Sequence, residues 1–394
     1  MGGIARRATG IKNVRNQGLP LVVIDGGDFA PAYSRQGEIK FETLVESFGQ
    51  MKYDALSLGE REIMMQNSQY DAWKVLRASG IPVGTLNVTY KGKRVRERPI
   101  IIVRGGLRIG LFGLFAGNVL PSGAGKEWVI EDAGRAAEEA LSYTKKNADV
   151  TVAMFYGKAA QARRLVRRYR GIDVVIVTHS SIPSPQILQL NDSLLISAGT
   201  KGQYLGRIDA SRTEGKWTFR GRFVVLDNKI PKDPVLQATY SRYQERVARF
   251  VKESIAQAKE KLGERFAPIH TANECQSCHG KIYNEWNVTP HAYAMDTLVE
   301  KNEQYNPECV ACHSTGYGMG GFISLETTSQ YAGVQCVSCH GLMEGHIEEN
   351  SGKREVPEGE AAEIPEVTRG ICLKCHTSER DDDFDFKRDK VQVH

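Results

Sequence analysis

The sequence has no run of about 18 apolar residues, which excludes a helix that crosses a membrane. The nearest candidates, "PIIIVRGGLRIGLFGLF" and "LPLVVI", are cut by arginine or too short. Cysteine is absent from the first 274 residues, and the first 269 contain one histidine, His179. Thiol and imidazole chemistry is therefore concentrated in the last third of the chain. The last 130 residues are poor in aliphatic side chains and show little periodic patterning, so that segment needs a core other than hydrocarbon: a metal, disulfides or a cofactor. What is present is otherwise ordinary. The 394 residues are 41% hydrophobic, 8% aromatic and 25% charged. That composition excludes a wholly disordered or collagen-like chain and suits two or three domains.

Charge divides the same way. Residues 1–264 carry 41 Lys+Arg and 26 Asp+Glu, a net of +15, whereas residues 265–394 carry 11 and 21, a net of −10. Opposed halves indicate two modules, which either present unrelated solvated faces or dock through opposite charges. Residues 1–230 alternate between helical and strand patterns, from the helical "IARRATGIKNVRNQG" and the strand "LPLVVIDGGD" to the strand "IDVVIVTHSS", then end in an apparent antiparallel meander. Alternation of this kind predicts an α/β layered fold with a mixed sheet. A long linking helix is expected over 231–264, with Asp233 as N-cap, Pro234 in its first turn and Gly263 closing it. The remainder, 265–394, is expected to be a small, mostly helical and loop domain.

All eight cysteines fall in four identical patterns: Cys275-Gln-Ser-Cys278-His279, Cys309-Val-Ala-Cys312-His313, Cys336-Val-Ser-Cys339-His340 and Cys372-Leu-Lys-Cys375-His376. Each is C-x-x-C-H, the pattern of c-type haem attachment. Two thiols form thioethers to the vinyl groups of one porphyrin, and the histidine that follows is held at the iron as proximal ligand. Zinc ribbons and disulfides explain the cysteines but not the adjacent histidines. With nine histidines in the chain, four such coincidences have a probability on the order of 10⁻⁷. Four covalent haem c groups are expected. Four further histidines, His270, His291, His346 and His394, lie in the same segment and are the distal candidates, with Met295, Met319 and Met343 as alternatives. His346 follows His340 by too few residues to pass around a porphyrin edge, so it is expected to serve a different haem.

The quoted segments "ECQSCHGKIYNEWNVTPHAYA", "CVACHSTGY", "GVQCVSCHGLMEGH" and "CLKCH…FDF" resemble the tetrahaem cytochrome c-554 family over about residues 270–394. The resemblance implies four haems in closely packed pairs and electron transfer as the task. By the same resemblance, His291 and His346 sit at distal-ligand positions, and one iron can be open.

In the first half, "GGIARRATGIKNVR", "VVIDGGDFA", "YDALSLGERE", "GIDVVIVTHSS" and "SAGTKGQYLGRI" are similar, in order, to 5′-nucleotidases of the calcineurin-like metallophosphatase superfamily. That implies a sandwich of mixed sheets between helices. The resemblance also implies a two-metal site, and its motifs depart from the family pattern here. The opening Asp-x-His strand is missing. Asp28 matches the bridging aspartate. Gly-Asn-His-Glu reads Gly59-Glu60-Arg61-Glu62, the Ser-His position reads Phe155-Tyr156, and Gly-His-x-His reads Thr178-His179-Ser180-Ser181. Asp28, Glu60 and His179 form a vestigial set, and loss of phosphatase activity is expected.

Covalent haem is attached outside the cytoplasm, so a bacterial periplasmic or cell-surface location is expected. No signal-like apolar region lies in residues 1–30, which predicts that residues precede Met1. The leading reading is an electron carrier that serves other redox proteins or cytochromes. Self-association through the opposite charges is a further expectation, and no nucleic acid is expected as partner. The alternatives are a redox enzyme acting on a small nitrogen or sulfur compound at an open haem, a nucleotide phosphohydrolase, and the subunit of a haem filament.

Overall fold

A computed structural model describes residues 3–117, 120, 123–179, 185–199, 202–262, 269–341, 346, 350, 366–377 and 380–393. The chain divides into two compact units, Met1–Tyr243 and Gln244–His394.

The first unit begins with helix α1 (Ile4–Arg15), strand β1 (Ile24–Asp25), helix α2 (Arg35–Gln50), strand β2 (Ala55–Leu56) and helices α3 (Glu60–Met65) and α4 (Ala72–Ala78). Ser34 Oγ caps α2 by accepting from Gly37 N, and Ile39, Phe41, Val45 and Phe48 turn its apolar face inward. Strands β3 (Val88–Tyr90), β4 (Lys93–Arg94), β5 (Ile100–Arg104), β6 (Leu107–Phe115) and β7 (Trp128–Ile130) follow. Then come helix α5 (Ala133–Asn147), strand β8 (Val150–Tyr156), helix α6 (Ala159–Arg168), and strands β9 (Val174–Val177), β10 (Gln186–Leu190), β11 (Ser193–Ser197), β12 (Tyr204–Thr213) and β13 (Lys216–Val225).

The main sheet has six strands in the order β10-β11-β9-β8-β6-β5. Its four central strands, β11, β9, β8 and β6, are parallel, and both edge pairs are antiparallel. It is the mixed sheet expected from the alternating pattern. The core under α5 and α6 joins Ala137, Ala140, Ala162, Leu165 and Val166 to Phe112, Leu114 and Val175 of the sheet.

The expected meander is not one unit. "SLLIS" is β11, buried at all five residues and paired in parallel with β9, because a strand covered on both faces shows no alternation. Only β12 and β13 form a hairpin of their own. "LPLVVIDGGD" contributes a strand of only two residues, Ile24 and Asp25.

Helix α7 (Pro234–Leu262) matches the expected long helix at its start. Asp233 Oδ1 accepts from Val235 N at 3.0 Å and Leu236 N at 3.1 Å. The division between the units falls inside this helix. Its first turns belong to the first unit: Tyr243 OH meets Gln36 at 3.0 Å and Thr239 meets Gln50 at 3.0 Å.

The second unit is made of short helices, among them Ala272–Gln276, Gly280–Trp286, Pro307–His313, Cys336–His340 and Arg369–Cys372. A small apolar cluster of Met295, Leu298, Val310 and Phe322 is buried in it. Buried Gln335 ties the polypeptide together. Its Oε1 accepts from Ala272 N, its N–H donates to Thr315, and its Nε2 donates to the carbonyls of Gln330 and Ala332.

Candidate functional site

In the second unit each cysteine pair lies on or beside a short helix. No disulfide joins any of the eight cysteines. The four motifs also meet one another. The Cys275 thiol hydrogen-bonds Cys336, which raises its own pKa and lowers that of Cys336 to about 7. Cys375 stands in the same relation to Cys312: burial first, then this contact, pushes the Cys375 thiol up to about 12. Cys372 is close enough to Cys339 to act on its ionisation. The first motif therefore meets the third and the second meets the fourth, with the third and fourth near enough to interact through charge.

Two pairs of histidines face each other. The rings of His279 and His346 lie 6.2 Å apart between centroids and are 17° from parallel. Those of His291 and His376 lie 5.9 Å apart at 63°. With metal–nitrogen bonds of about 2 Å on each side, two imidazoles trans on one metal have centroids about 6 Å apart, so both pairs fit an iron between them. Burial and the neighbouring His376 hold the His291 imidazolium below its ordinary pKa. The neutral ring is the form that ligates.

Three rings are fixed through Nδ1. His313 donates to the Ala294 carbonyl at 2.6 Å, His376 meets the Asp381 carboxylate at 2.7 Å, and His270 meets Glu274 at 3.2 Å. Anchoring one ring nitrogen sets the tautomer and frees Nε2 for a metal. The donor set of thiol pairs and anchored imidazoles thus fits haem c.

His346 faces His279 and not His340, in keeping with the short linker between His340 and His346. His394 lies outside the described residues, as does Met343. Met295 is buried in the apolar cluster and Met319 is exposed. The pairing of His291 with His376 is not visible in the spacing, because the two are far apart in the chain.

In the first unit, Asp28, Glu60, His179 and Tyr156 gather beyond the C-terminal ends of β1, β2, β8 and β9, the usual binding edge of parallel strands. The loop after β1 is forced close to its neighbours. Gly27 has φ 94° and a Cβ there would sit 2.8 Å from Gly59 N, while Asp28 itself has φ 67°. Asp28 Oδ1 accepts from Arg61 N at 3.1 Å and so caps α3. Tyr156 OH donates to Glu60 at 3.1 Å and its ring lies 4.9 Å from that of His179. A cavity of about 240 Å³ opens beside them, lined by Glu60, Phe115, Tyr156, Lys158, Gln161 and His179. His179 is exposed, and its ring is tilted 48° to that of Tyr156. Ser181, at the family's second Gly-His-x-His histidine, lies outside the described residues. Among the described residues, no group of three or more His, Cys, Asp or Glu side chains is placed to hold a metal ion.

Sequence reading missed the role of Glu62. Its carboxylate is buried and accepts four backbone N–H bonds: Phe29 and Ala30 on Oε1, Asp28 and Gly59 on Oε2, at 2.7–2.9 Å. Burial pushes the carboxyl up, to about 7, against the four donors that favour its charge. The available signal was its place three residues after Gly59, a capping-box spacing.

The family described as cytochrome c554 and c-prime matches residues 274–341. Cytochrome c-554 of Nitrosomonas europaea is 32% identical over 91 residues, 19% of this chain and 39% of that protein. Human 5′-nucleotidase is 22% identical over 354 residues, 81% of this chain. The chain spans 59% of the length of that nucleotidase. A 5′-nucleotidase precursor from Thermus thermophilus superposes with TM-score 0.55 at 18% identity, covering 62% of this chain and 53% of its own. A sulfate thiohydrolase of the same organism gives TM-score 0.55 at 17% identity, covering 62% and 47%. The chain thus joins a 5′-nucleotidase-like metallophosphatase fold to a cytochrome c-554-like segment.

Proposed function

We propose that the chain is a four-haem c-type cytochrome that carries electrons to a redox partner, with its phosphatase-like unit serving as a non-catalytic scaffold or docking module. The observation that carries this reading is the facing of His279 with His346 and of His291 with His376, inside a segment with four C-x-x-C-H motifs. Cys275, Cys278, Cys309, Cys312, Cys336, Cys339, Cys372 and Cys375 would hold the haems by thioethers, and His279, His313, His340 and His376 would be proximal ligands. Bound haem supplies one-electron redox chemistry at iron.

The chain's own residues do the rest. The thiol contacts between the first and third motifs and between the second and fourth support neighbouring haem sites within each pair. The Asp381 carboxylate on His376 makes that imidazole a stronger donor than His313, whose Nδ1 meets two neutral groups, the Ala294 carbonyl and the Thr297 hydroxyl. The two rings therefore favour oxidised iron to different degrees, which grades the sites. The location that goes with covalent haem is periplasmic or extracellular.

The test is mass spectrometry of the purified chain after acid–acetone extraction. Four retained haem masses are expected. A chain without haem, or one carrying zinc, would refute the reading.

A further inference from the structure

Helix α6 has an outer face made almost entirely of arginine. Its inner face, Ala162, Leu165 and Val166, is buried in the core of the first unit. Outward stand Arg164, Arg167, Arg168 and Arg170, all exposed, with half-buried Arg163 and, at the N-cap, exposed Lys158. No Asp or Glu occurs between Gly157 and Ile172. None of these six cations forms an ion pair among the described residues. The one contact made by a side chain of this set is Arg168 over the ring of Tyr169, 5.3 Å from its centroid. By contrast, Arg94, Arg104, Arg108 and Arg207 of the same unit are each neutralised by an aspartate or glutamate.

Six like charges on a short helix repel one another and weaken the fold unless something answers them. The complement is present in the chain itself, because residues 265–394 carry a net of −10. Exposed Asp382 follows the last C-x-x-C-H motif, beside Asp383 and Asp385, which also engage Arg388. The face does not suit other anionic partners as well. A membrane-surface helix needs an apolar face free to enter lipid, and that of α6 is already in the core. Single-stranded nucleic acid needs aromatic platforms, and Tyr169, at the end of this helix, lies under Arg168.

We propose that the arginine face of α6 is the docking surface for the acidic haem-bearing segment of a second copy of this chain. This inference does not depend on the assignment of electron transfer; it rests on charge and exposure. The contact is heterologous, basic face to acidic segment, so an associated pair keeps one unused basic face on one copy and one unused acidic segment on the other. Association therefore either continues from copy to copy or closes into a ring.

The test is sedimentation of the full, haem-loaded chain across protein concentration. At about 25 mM salt the average mass should rise with concentration, and at about 300 mM it should return to the monomer, because exposed pairs are screened. The quadruple variant R163E/R164E/R167E/R168E should remain monomeric at low salt, with circular dichroism and haem absorption unchanged. It still offers its acidic segment, so added to wild type it should cap growth and lower the average mass. Reversal of two basic residues on the β12–β13 hairpin, K216E/R220E, should leave association intact within about twofold. A wild type that is monomeric at low salt would overturn the proposal, as would a quadruple variant that associates normally or fails to cap. Binding to anionic vesicles or to DNA without self-association would also overturn it.

Discussion

Replacing Glu62 by Gln isolates one carboxylate in the first unit. Each oxygen of Glu62 accepts two backbone N–H bonds, four in all, from Asp28, Phe29, Ala30 and Gly59. Glutamine fills the same volume with one acceptor oxygen. Two of the four N–H groups would then face an NH₂ group in a buried site. An orphaned buried donor costs about 1–3 kcal/mol, so E62Q should destabilise the first unit by about 2–6 kcal/mol. Relief of the buried charge moves the value towards the lower end, and the loss of charge-assisted bonds moves it towards the upper end. For a unit of this size that is roughly 5–20 °C in melting temperature. The measurement belongs at pH 8, above the value of about 7 to which burial raises the carboxyl, so that the wild type is ionised. Thermal unfolding by circular dichroism gives the global effect. Hydrogen exchange gives the local one: amides 28–30 and 59 should lose protection while the six-stranded sheet keeps its own. A melting temperature within 1 °C of wild type, with unchanged protection at 28–30, would refute the account.

Three other outcomes are expected. H291A and H346A should each convert one low-spin haem to high spin, read by absorption and electron paramagnetic resonance; an unchanged spectrum removes that residue from the ligand set. D381N, which trades a carboxylate for an amide at His376 Nδ1, should raise the potential of one haem by roughly 40–60 mV, since charge-assisted bonds are about twice as strong as neutral ones and 59 mV is a tenfold change for one electron; a shift below 10 mV would show that Asp381 does not act through the ring. Nucleotides and phosphate monoesters should not be hydrolysed with Mn²⁺, Zn²⁺ or Co²⁺, because Asp28 caps α3, Glu60 is engaged by Tyr156, and Arg61 stands at the catalytic histidine position; turnover abolished by D28A would refute this.

The chemistry was more legible than the architecture, for physical reasons. A thioether-linked haem needs its residues within five consecutive positions, so four motifs can be read directly from spacing. The rings that face the motif histidines come from elsewhere in the chain, and no local rule joins His291 to His376. His346 was an intermediate case, because chain length alone excluded His340. Helix α7 announced itself through Asp233 and Pro234, which are local signals. Strand β11 did not, since burial on both faces erases alternation, and β10 follows the Ser/Pro-rich "SSIPSP". Glu62 was visible in the motif, but its four backbone partners were not, because three of them belong to a loop more than 30 residues earlier.

The contacts among the cysteine motifs also have a consequence in time. The first motif meets the third and the second meets the fourth, so the pairs interleave instead of nesting. A polypeptide appears from its N-terminus during synthesis. When residues up to His313 have emerged, two motifs are present and neither has its neighbour. The first neighbour arrives with Cys336, while the second pair is still half missing. No stage exists at which one pair is finished before the other has begun. A chain ending before Cys336 should therefore carry two complete C-x-x-C-H motifs, neither beside its neighbour, and be more open to proteolysis than the full segment.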